Sequence, residues 1–341
     1  MDNPVTNNEN QEKIERLEAA LQTEEGNTSA NFQELVQILL SDKQYEKARL
    51  LLNNELAEKQ DVEPNDLAFW KASLGFIAII DEDIETAFNY LNEALTHTNE
   101  TEEIYAKIQF RLGLCHSSEK KLEEAVAHYI AAIDWGNDNE KPSAEGYFNL
   151  AVTYLEMEAI EEAIECLQNA VEINEEYGST IPTSDILLQI GDVQAYQQNW
   201  KEALSNYHYA SEYQEDSEDP NLGKTYYKMV QVLMNMDKFS TAINYYEKSV
   251  PLIINDLDPD QQSDLHFQLA NLYVDYKDDF EKALEHYKAA KEYLANETEQ
   301  DEVYQMNLEK LNDSIAQMEE KVNKAAAKPK AKKGFFKRLF G

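Results

Sequence analysis

The chain has 341 residues, 43% of them hydrophobic and 10% aromatic, but only 10 Gly and 8 Pro. It carries 66 acidic and 30 basic residues, so its formal net charge is −36 at pH 7. The apolar content argues against a disordered chain and predicts a long helical core. The negative charge argues against phosphate or nucleic-acid binding by the body of the protein.

The first 28 residues precede the regular part of the sequence. The segment up to residue 10 is polar and is expected to be disordered. Ile14, Leu17 and Leu21 recur at helical spacing and predict a short helix over Gln11 to Leu21. The sequence shows neither a basic start followed by an apolar run nor a stretch of about 20 apolar residues. We therefore expect a cytoplasmic protein.

Seven diverged copies of one pattern then follow over residues 29–297. Each copy is anchored by an Ala that stands four residues before a Leu or an aromatic residue. The anchors are 38 to 41 residues apart: Ala48, Ala87, Ala125, Ala163, Ala203, Ala242 and Ala283. Self-similarity at a fixed period of this length predicts an array of stacked repeats.

Each copy predicts two helices joined by a short polar turn. Twelve residues before four of the anchors stands a small residue: Gly75, Gly113, Ala151 and Gly191. Small residues at this spacing would let the two helices approach closely. The seventh copy fits the pattern if one residue is inserted in its turn, between Lys277 and Phe280.

Proline marks where the first helices should begin. Five prolines fall 21 to 24 residues ahead of an anchor: Pro64, Pro142, Pro182, Pro220 and Pro259. Proline is tolerated in the first turn of a helix, because the N–H group that it lacks would be unpaired there. Pro251 instead falls nine residues after Ala242, and we expect the second helix of repeat six to kink or stop there.

Large and small residues alternate in a fixed order within each copy. Repeat four shows the order well: Tyr147, Leu150, Ala151, Tyr154, Ala163, Leu167 and Ala170. This order resembles the signature of the tetratricopeptide repeat family over about residues 29–296, and the period near 39 resembles its longer-helix variants. The resemblance implies an all-α, right-handed superhelical array of antiparallel helix pairs. It also implies a non-catalytic scaffold that binds peptide or helical segments in a concave groove.

In the family, the first helices of the repeats line that groove. The matching positions predict a groove with two basic islands, formed by these residues: Lys107, Arg111, Phe148, Asn149, Lys224, Tyr227, Lys228, Gln231 and Asn271. Chaperone-binding members hold a C-terminal carboxylate with a clamp of five polar residues. Lys107 and Arg111 match its last two places, but Gln33 and Gln37 stand where its first Lys and Asn would be. We therefore expect a peptide or protein ligand, but not a chaperone tail.

The sequence contains no motif that indicates catalysis, a cofactor or a metal. A Gly-rich phosphate loop, HExxH, CxxC and a nucleophile elbow are all missing. The six histidines show no ligand spacing to one another and are expected to be structural. Cys115 and Cys166 lie at helix positions and are expected to be small core residues.

Residues 298–323 predict one further helix. Its apolar residues are spaced 3, 4, 3 and 4 apart and form a single stripe: Leu308, Leu311, Ile315, Met318 and Val322. The favoured interpretation is a capping helix that covers the exposed face of repeat seven, as terminal repeats need. The alternative is a coiled coil between two copies of the chain.

Residues 324–341 are expected to form a flexible tail that carries seven basic residues and no acidic one. The residues expected to contact a partner are Lys332, Lys333, Phe335, Phe336, Lys337, Arg338, Leu339 and Phe340. The tail could attach the protein to the inner face of an anionic membrane. It could instead dock into an acidic groove of its own or a neighbouring copy, giving a self-regulated or self-associating scaffold. Nucleic acid is the least favoured partner, because the aromatic content exceeds what phosphate contacts need.

Overall fold

The computed structural model describes residues 4–23, 25–59, 61–297 and 301–327, and these residues contain helices but no strand. They form two compact units, with the division between residues 182 and 183. The tail residues 328–341, with every predicted tail contact, lie outside the described residues.

The described part of the first unit holds repeats one to four and one helix before them. Its helices are α1 (Pro4–Leu21), α2 (Ser29–Ser41), α3 (Tyr45–Glu58), α4 (Pro64–Ile80), α5 (Ile84–Leu95), α6 (Glu103–Ser118), α7 (Leu122–Asp138), α8 (Ala144–Glu156) and α9 (Ile160–Tyr177). From α2 onwards they pack as consecutive pairs, with α1 against α2.

The described part of the second unit holds repeats five to seven and one helix after them. Its helices are α10 (Thr183–Tyr196), α11 (Trp200–Ser217), α12 (Leu222–Asn235), α13 (Phe239–Ile253), α14 (Pro259–Lys277), α15 (Phe280–Leu294) and α16 (Glu302–Ala327). Residues Ile254–Asp256 form one turn of 3-10 helix after α13. Here too the helices pack as consecutive pairs. The all-α repeat fold predicted from the sequence is confirmed.

The anchors lie where the paired helices meet. All seven anchor alanines are completely buried, and the large residue four positions later is buried in every repeat. An Ala side chain loses no rotamer freedom on burial, so it fills a tight interface at little entropic cost. The repeat spacing in the sequence is therefore also the spacing of the buried contacts between paired helices.

The turns inside the repeats share one backbone geometry. The residue five positions before each anchor is left-handed, with φ between 49° and 62°: Lys43, Glu82, Lys120, Glu158, Gln198, Asp237 and Asp278. In the first six repeats the next N–H donates to the carbonyl five residues earlier, as from Lys121 to His116 at 2.9 Å. This bond pairs a carbonyl that the end of the first helix leaves open. In repeat seven the bond runs six residues, from Asp279 to Tyr273, which accommodates the residue that the sequence showed as inserted.

Two of the predicted close approaches place a glycine against a tyrosine ring. A Cβ atom added to Gly113 would lie 2.6 Å from Tyr129, and one added to Gly191 would lie 2.4 Å from Tyr207. Real Cβ atoms essentially never come this close to a neighbour. Only glycine therefore leaves enough room for the tyrosine ring at these two positions.

Proline marks the helix starts as predicted. Helices α4 and α14 begin at Pro64 and Pro259, and three others begin one or two residues after a proline. Helix α13 does not stop at Pro251 but continues to Ile253. Only one further turn of 3-10 helix follows, so the missing N–H removes a single bond near the helix end.

The end helices differ from expectation in length. Helix α1 begins at Pro4, so residues 4–10, which we expected to be disordered, are helical. Pro4 fits the first helical position, where its missing N–H costs nothing. Helix α16 packs on α15 and buries Leu311 and Met318 in the core of repeat seven. Helix α15 of the same chain thus packs on the apolar stripe of α16, which a coiled coil with a second copy would need to be exposed.

The two cysteines are free and buried, as expected from their positions. Burial raises the pKa of the Cys115 thiol to about 12 and that of the Cys166 thiol to about 11. Both side chains are therefore unreactive core residues at neutral pH.

Gly113→Ala should lower the free energy of unfolding by about 1–3 kcal/mol, because the added methyl group overlaps the Tyr129 ring. In repeat four, Ala151 stands at the position of Gly113, and the smaller Leu167 stands at the position of Tyr129. Adding Tyr129→Leu should therefore recover part of the loss. Urea unfolding of both single variants and the double variant measures the coupling. A Gly113→Ala variant as stable as the wild type would contradict the packing.

Candidate functional site

A candidate site in the described second unit is a cavity of about 690 Å³, which we call the tyrosine cavity. Its lining comes mainly from the first helices of repeats five to seven. The lining residues are Ala195, Trp200, Tyr207, Tyr227, Lys228, Val230, Gln231, Val232, Met234, Asn235, Tyr246, Gln268, Asn271, Leu272, Asp275 and Tyr276. Its volume lies within the range of ligand pockets.

The repeat pattern positions the aromatic wall of this cavity. Tyr207 and Tyr246 occupy the large position after their anchors and are buried. The Tyr207 hydroxyl donates to Asp192 at 2.7 Å, and burial together with this carboxylate raises the pKa of Tyr207. The Tyr227 ring meets the Tyr246 ring edge-on, with the ring centroids 5.8 Å apart. These contacts hold the three rings in place in the cavity lining.

Four amide side chains supply its polar groups. The oxygens of Gln268 and Asn271 accept hydrogen bonds from Tyr246 and Tyr287, at 3.0 Å and 2.5 Å. Neither NH₂ group donates a hydrogen bond to the described part of the chain, so both are available to a ligand. The Gln231 side chain is exposed and makes no hydrogen bond to the described residues. Asn235 donates to the Gln231 carbonyl at 2.8 Å.

Lys228 is the only cation lining this cavity within the described residues, and it is already paired. Its Nζ lies 2.6 Å and 2.8 Å from the two carboxylate oxygens of Asp192. The basic island predicted around Lys228 therefore has little free positive charge.

A second cavity, of about 680 Å³, lies in the first unit and is called here the arginine cavity. Its lining residues are Ser41, Phe76, Glu103, Ala106, Lys107, Phe110, Arg111, Leu114, Ala132, Ile133, Trp135, Gly136, Lys141, Ser143, Glu145, Gly146 and Thr180. Most of its exposed lining surface is apolar. Its charged lining residues are three basic ones and two carboxylates, Glu103 and Glu145.

Arg111 carries a charge that no carboxylate of the described residues pairs. Its guanidinium donates to the Ala72 carbonyl at 2.8 Å and lies 4.9 Å from the centre of the Phe76 ring. Burial lowers the pKa of Arg111 to about 10, so the group remains charged at neutral pH. Lys107 and Lys141 are instead both bound to Glu103, which lowers the pKa of that carboxyl to about 2.

The structure gathers six of the nine predicted groove residues into these two cavities. Tyr227, Lys228, Gln231 and Asn271 line the tyrosine cavity, whereas Lys107 and Arg111 line the arginine cavity. The other three, Phe148, Asn149 and Lys224, line neither. Asn149 donates to the Glu145 carbonyl of its own helix at 2.8 Å, and Lys224 is exposed.

The fold also brings histidines together in a way that their spacing did not reveal. His266 and His286 lie with their Nδ1 atoms 3.0 Å apart, and their rings stack between Tyr273 and Tyr293. Desolvation lowers the pKa of His286 and, together with the neighbouring His286 ring, lowers that of His266 to about 4. The described residues contain no group of three or more His, Cys, Asp or Glu side chains arranged to bind a metal ion.

Stability should fall as the pH drops from 6.5 toward 4, because the unfolded chain then binds more protons than the folded one. Replacing both rings by His266→Phe with His286→Phe keeps the aromatic stack but removes the titration. Thermal unfolding between pH 7 and 4 should show a shallower loss of Tm for this variant than for the wild type. Parallel pH profiles would show that acid destabilises the protein elsewhere.

None of the described helices is both long and apolar enough to cross a bilayer.

Residues 119–256 match the family model of the soluble NSF attachment proteins, SNAP. This match covers less than half of the chain, and no curated protein matches the sequence. Among solved structures, RapI in its apo form is 14% identical, with a TM-score of 0.64 over 88% of this chain and 86% of RapI.

The names of two further similar structures mention tetratricopeptide repeats. The C-terminal part of a repeat-containing protein from Cytophaga hutchinsonii is 14% identical, with a TM-score of 0.59 over 81% of this chain and 99% of that one. A signal-transduction ATPase with a tetratricopeptide repeat sensor, from Pyrococcus horikoshii, is 17% identical, with a TM-score of 0.53 over 93% of this chain and 54% of that one. At these identities the likeness shows the fold alone. The resemblance found in the sequence is confirmed at that level, and the chain folds as an array of tetratricopeptide-like helical repeats.

Proposed function

We propose that the protein is a non-catalytic scaffold that binds an extended or helical peptide segment. The observation that carries this proposal is the tyrosine cavity, where four predicted groove residues from two successive first helices line one space. A peptide in that space would meet aromatic faces for its apolar side chains. It would also meet amide groups for its backbone.

The free groups in the tyrosine cavity match what a peptide backbone needs. The NH₂ groups of Gln268 and Asn271 can donate to backbone carbonyls, and the Gln231 amide can both donate and accept. Backbone groups that enter a partly apolar site need such partners, because an unmade hydrogen bond is costly there. This arrangement favours recognition through the main chain, with the aromatic wall selecting side chains.

The arginine cavity supports a second contact, with an acidic side chain. A buried charge without a counter-ion is unfavourable, and Arg111 has no carboxylate partner among the described residues. A ligand carboxylate beside Arg111 would provide one, through a charge-assisted bond. The surrounding apolar wall would take up a neighbouring apolar side chain of the ligand.

The names of similar proteins agree with a binding role. The matched family is named for attachment to NSF, and the repeats of the P. horikoshii ATPase are named as its sensor. We extend only the binding role to this chain. Attachment of its tail to an anionic membrane stays a prediction, because residues 328–341 lie outside the described residues.

Peptides selected from a random library on the full-length protein test the proposal. Their Kd, measured by fluorescence anisotropy, should rise about threefold to tenfold for Gln231→Ala, which removes one neutral hydrogen bond to the ligand. Gln231 is exposed, so this change should leave the fold intact. Tyr227→Ala should also weaken binding, because it removes a ring from the wall.

Lys224→Ala is the matched control, because Lys224 lies on the same helix but outside the cavity. Its Kd should stay within the error of the wild-type value. Selected peptides that bind all three variants equally would place the ligand elsewhere, and a library that yields no binder would argue against a peptide-binding role.

A further inference from the structure

The chain leaves α16 beside the turn that joins α14 to α15. The Nζ atom of Lys321 lies 4.5 Å from the centre of the Phe280 ring, at the start of α15. Val322 and Ala325 share a small cavity with residues 277–281. The 14 residues that follow Ala327 therefore start at this turn.

The same turn forms one edge of the tyrosine cavity. Asp275 and Tyr276 line the cavity and directly precede Lys277, the last residue of α14. The segment from Lys328 to Phe335 can extend about 26 Å at about 3.3 Å per residue. Phe335 and the residues after it are thus within reach of the cavity.

Charge favours a contact between the tail and the edge of the tyrosine cavity. Residues 183–327 contain 28 acidic and 12 basic residues, whereas residues 328–341 contain six basic and no acidic ones. Asp275 lines the cavity, and Asp278 lies in the adjoining turn. Asp237 lies in the chain between Asn235, which lines the cavity, and Phe239, which stacks on Tyr276. None of these three carboxylates forms an ion pair with the described residues. A basic segment that starts here meets unpaired carboxylates first.

Apolar surface favours the contact as well. Five aromatic side chains line the cavity, and Tyr276, stacked on Phe239 with the ring centroids 3.7 Å apart, remains 44% exposed. Phe335, Phe336, Leu339 and Phe340 are four large apolar residues in the segment that follows α16. Aromatic pairs gain from edge-on and offset contacts beyond simple burial.

We propose that residues 328–341 dock on their own chain, with Phe side chains in the tyrosine cavity and Lys and Arg side chains on its acidic edge. The tail then occupies the surface that the proposed partner peptide needs. A partner must displace the tail to bind, so the contact limits access to the site. The docking itself does not depend on any partner peptide and can be tested alone.

A photo-crosslinking residue, p-benzoylphenylalanine, placed at Phe336 in the full-length protein tests this docking. After irradiation at low protein concentration, peptide mapping should find cross-links within one chain to segments that line the cavity, such as those with Tyr227 and Tyr276. Asp237→Lys with Asp275→Lys should lower the yield of these cross-links by about twofold or more, because two surface ion pairs are lost. Glu292→Lys with Glu309→Lys changes the charge equally at exposed positions away from the cavity and should leave the yield unchanged.

Three results would overturn the docking. Cross-links that join two chains, with a yield that rises with protein concentration, would assign the tail to a second copy. Cross-links spread over the acidic surface without enrichment at the cavity would show a nonspecific charge contact. An absence of cavity cross-links, together with co-sedimentation with phosphatidylserine vesicles, would assign the tail to a membrane.

Discussion

The close approach of two helices within each repeat is the constraint on which the rest of the structure depends. An Ala that is completely buried sits at the contact, and in repeats three and five a glycine faces a tyrosine ring. Neither the ring nor the glycine can change alone without overlap or a void. The left-handed turn residue five positions before the anchor fixes the direction in which the second helix returns. The buried helix contact and the left-handed turn recur at the same spacing along the chain. Together they specify the geometry of each repeat.

This constraint also produces the candidate site. Because Tyr207 and Tyr246 hold the large position of their repeats, their rings pack against the first helices while their hydroxyls reach Asp192 and Gln268. The residues that make the core are thus the same ones that orient the cavity wall. Ligand groups would meet side chains that packing has already fixed, which lowers the ordering cost of binding.

The sequence predicted the repeats well, because anchors, prolines and small residues each act within one repeat. It predicted the site less completely. Lys107 and Arg111 are one helical turn apart, yet Glu103 binds the first and no described carboxylate binds the second. The bond between Glu103 and Lys107 lies within α6. The bonds from Arg111 to Ala72 and from Lys141 to Glu103 instead join separate segments, whose contacts a single repeat pattern does not specify. The His266–His286 pair escaped notice for the same reason, since the two rings belong to different helices and lie 20 residues apart.

Removal of one whole repeat tests most directly the claim that local pairing specifies the fold. Deleting residues 120–157 brings Glu158 to the place of Lys120, so the left-handed turn and the register of α6 and α9 are kept. We predict a folded protein with a cooperative, lower Tm and helical circular dichroism in proportion to its length. Deleting residues 130–165 rotates the rest of α9 by about 200° and should abolish the packing of that helix. Loss of the helical signal in the first variant, or equal stability of the two, would contradict the account.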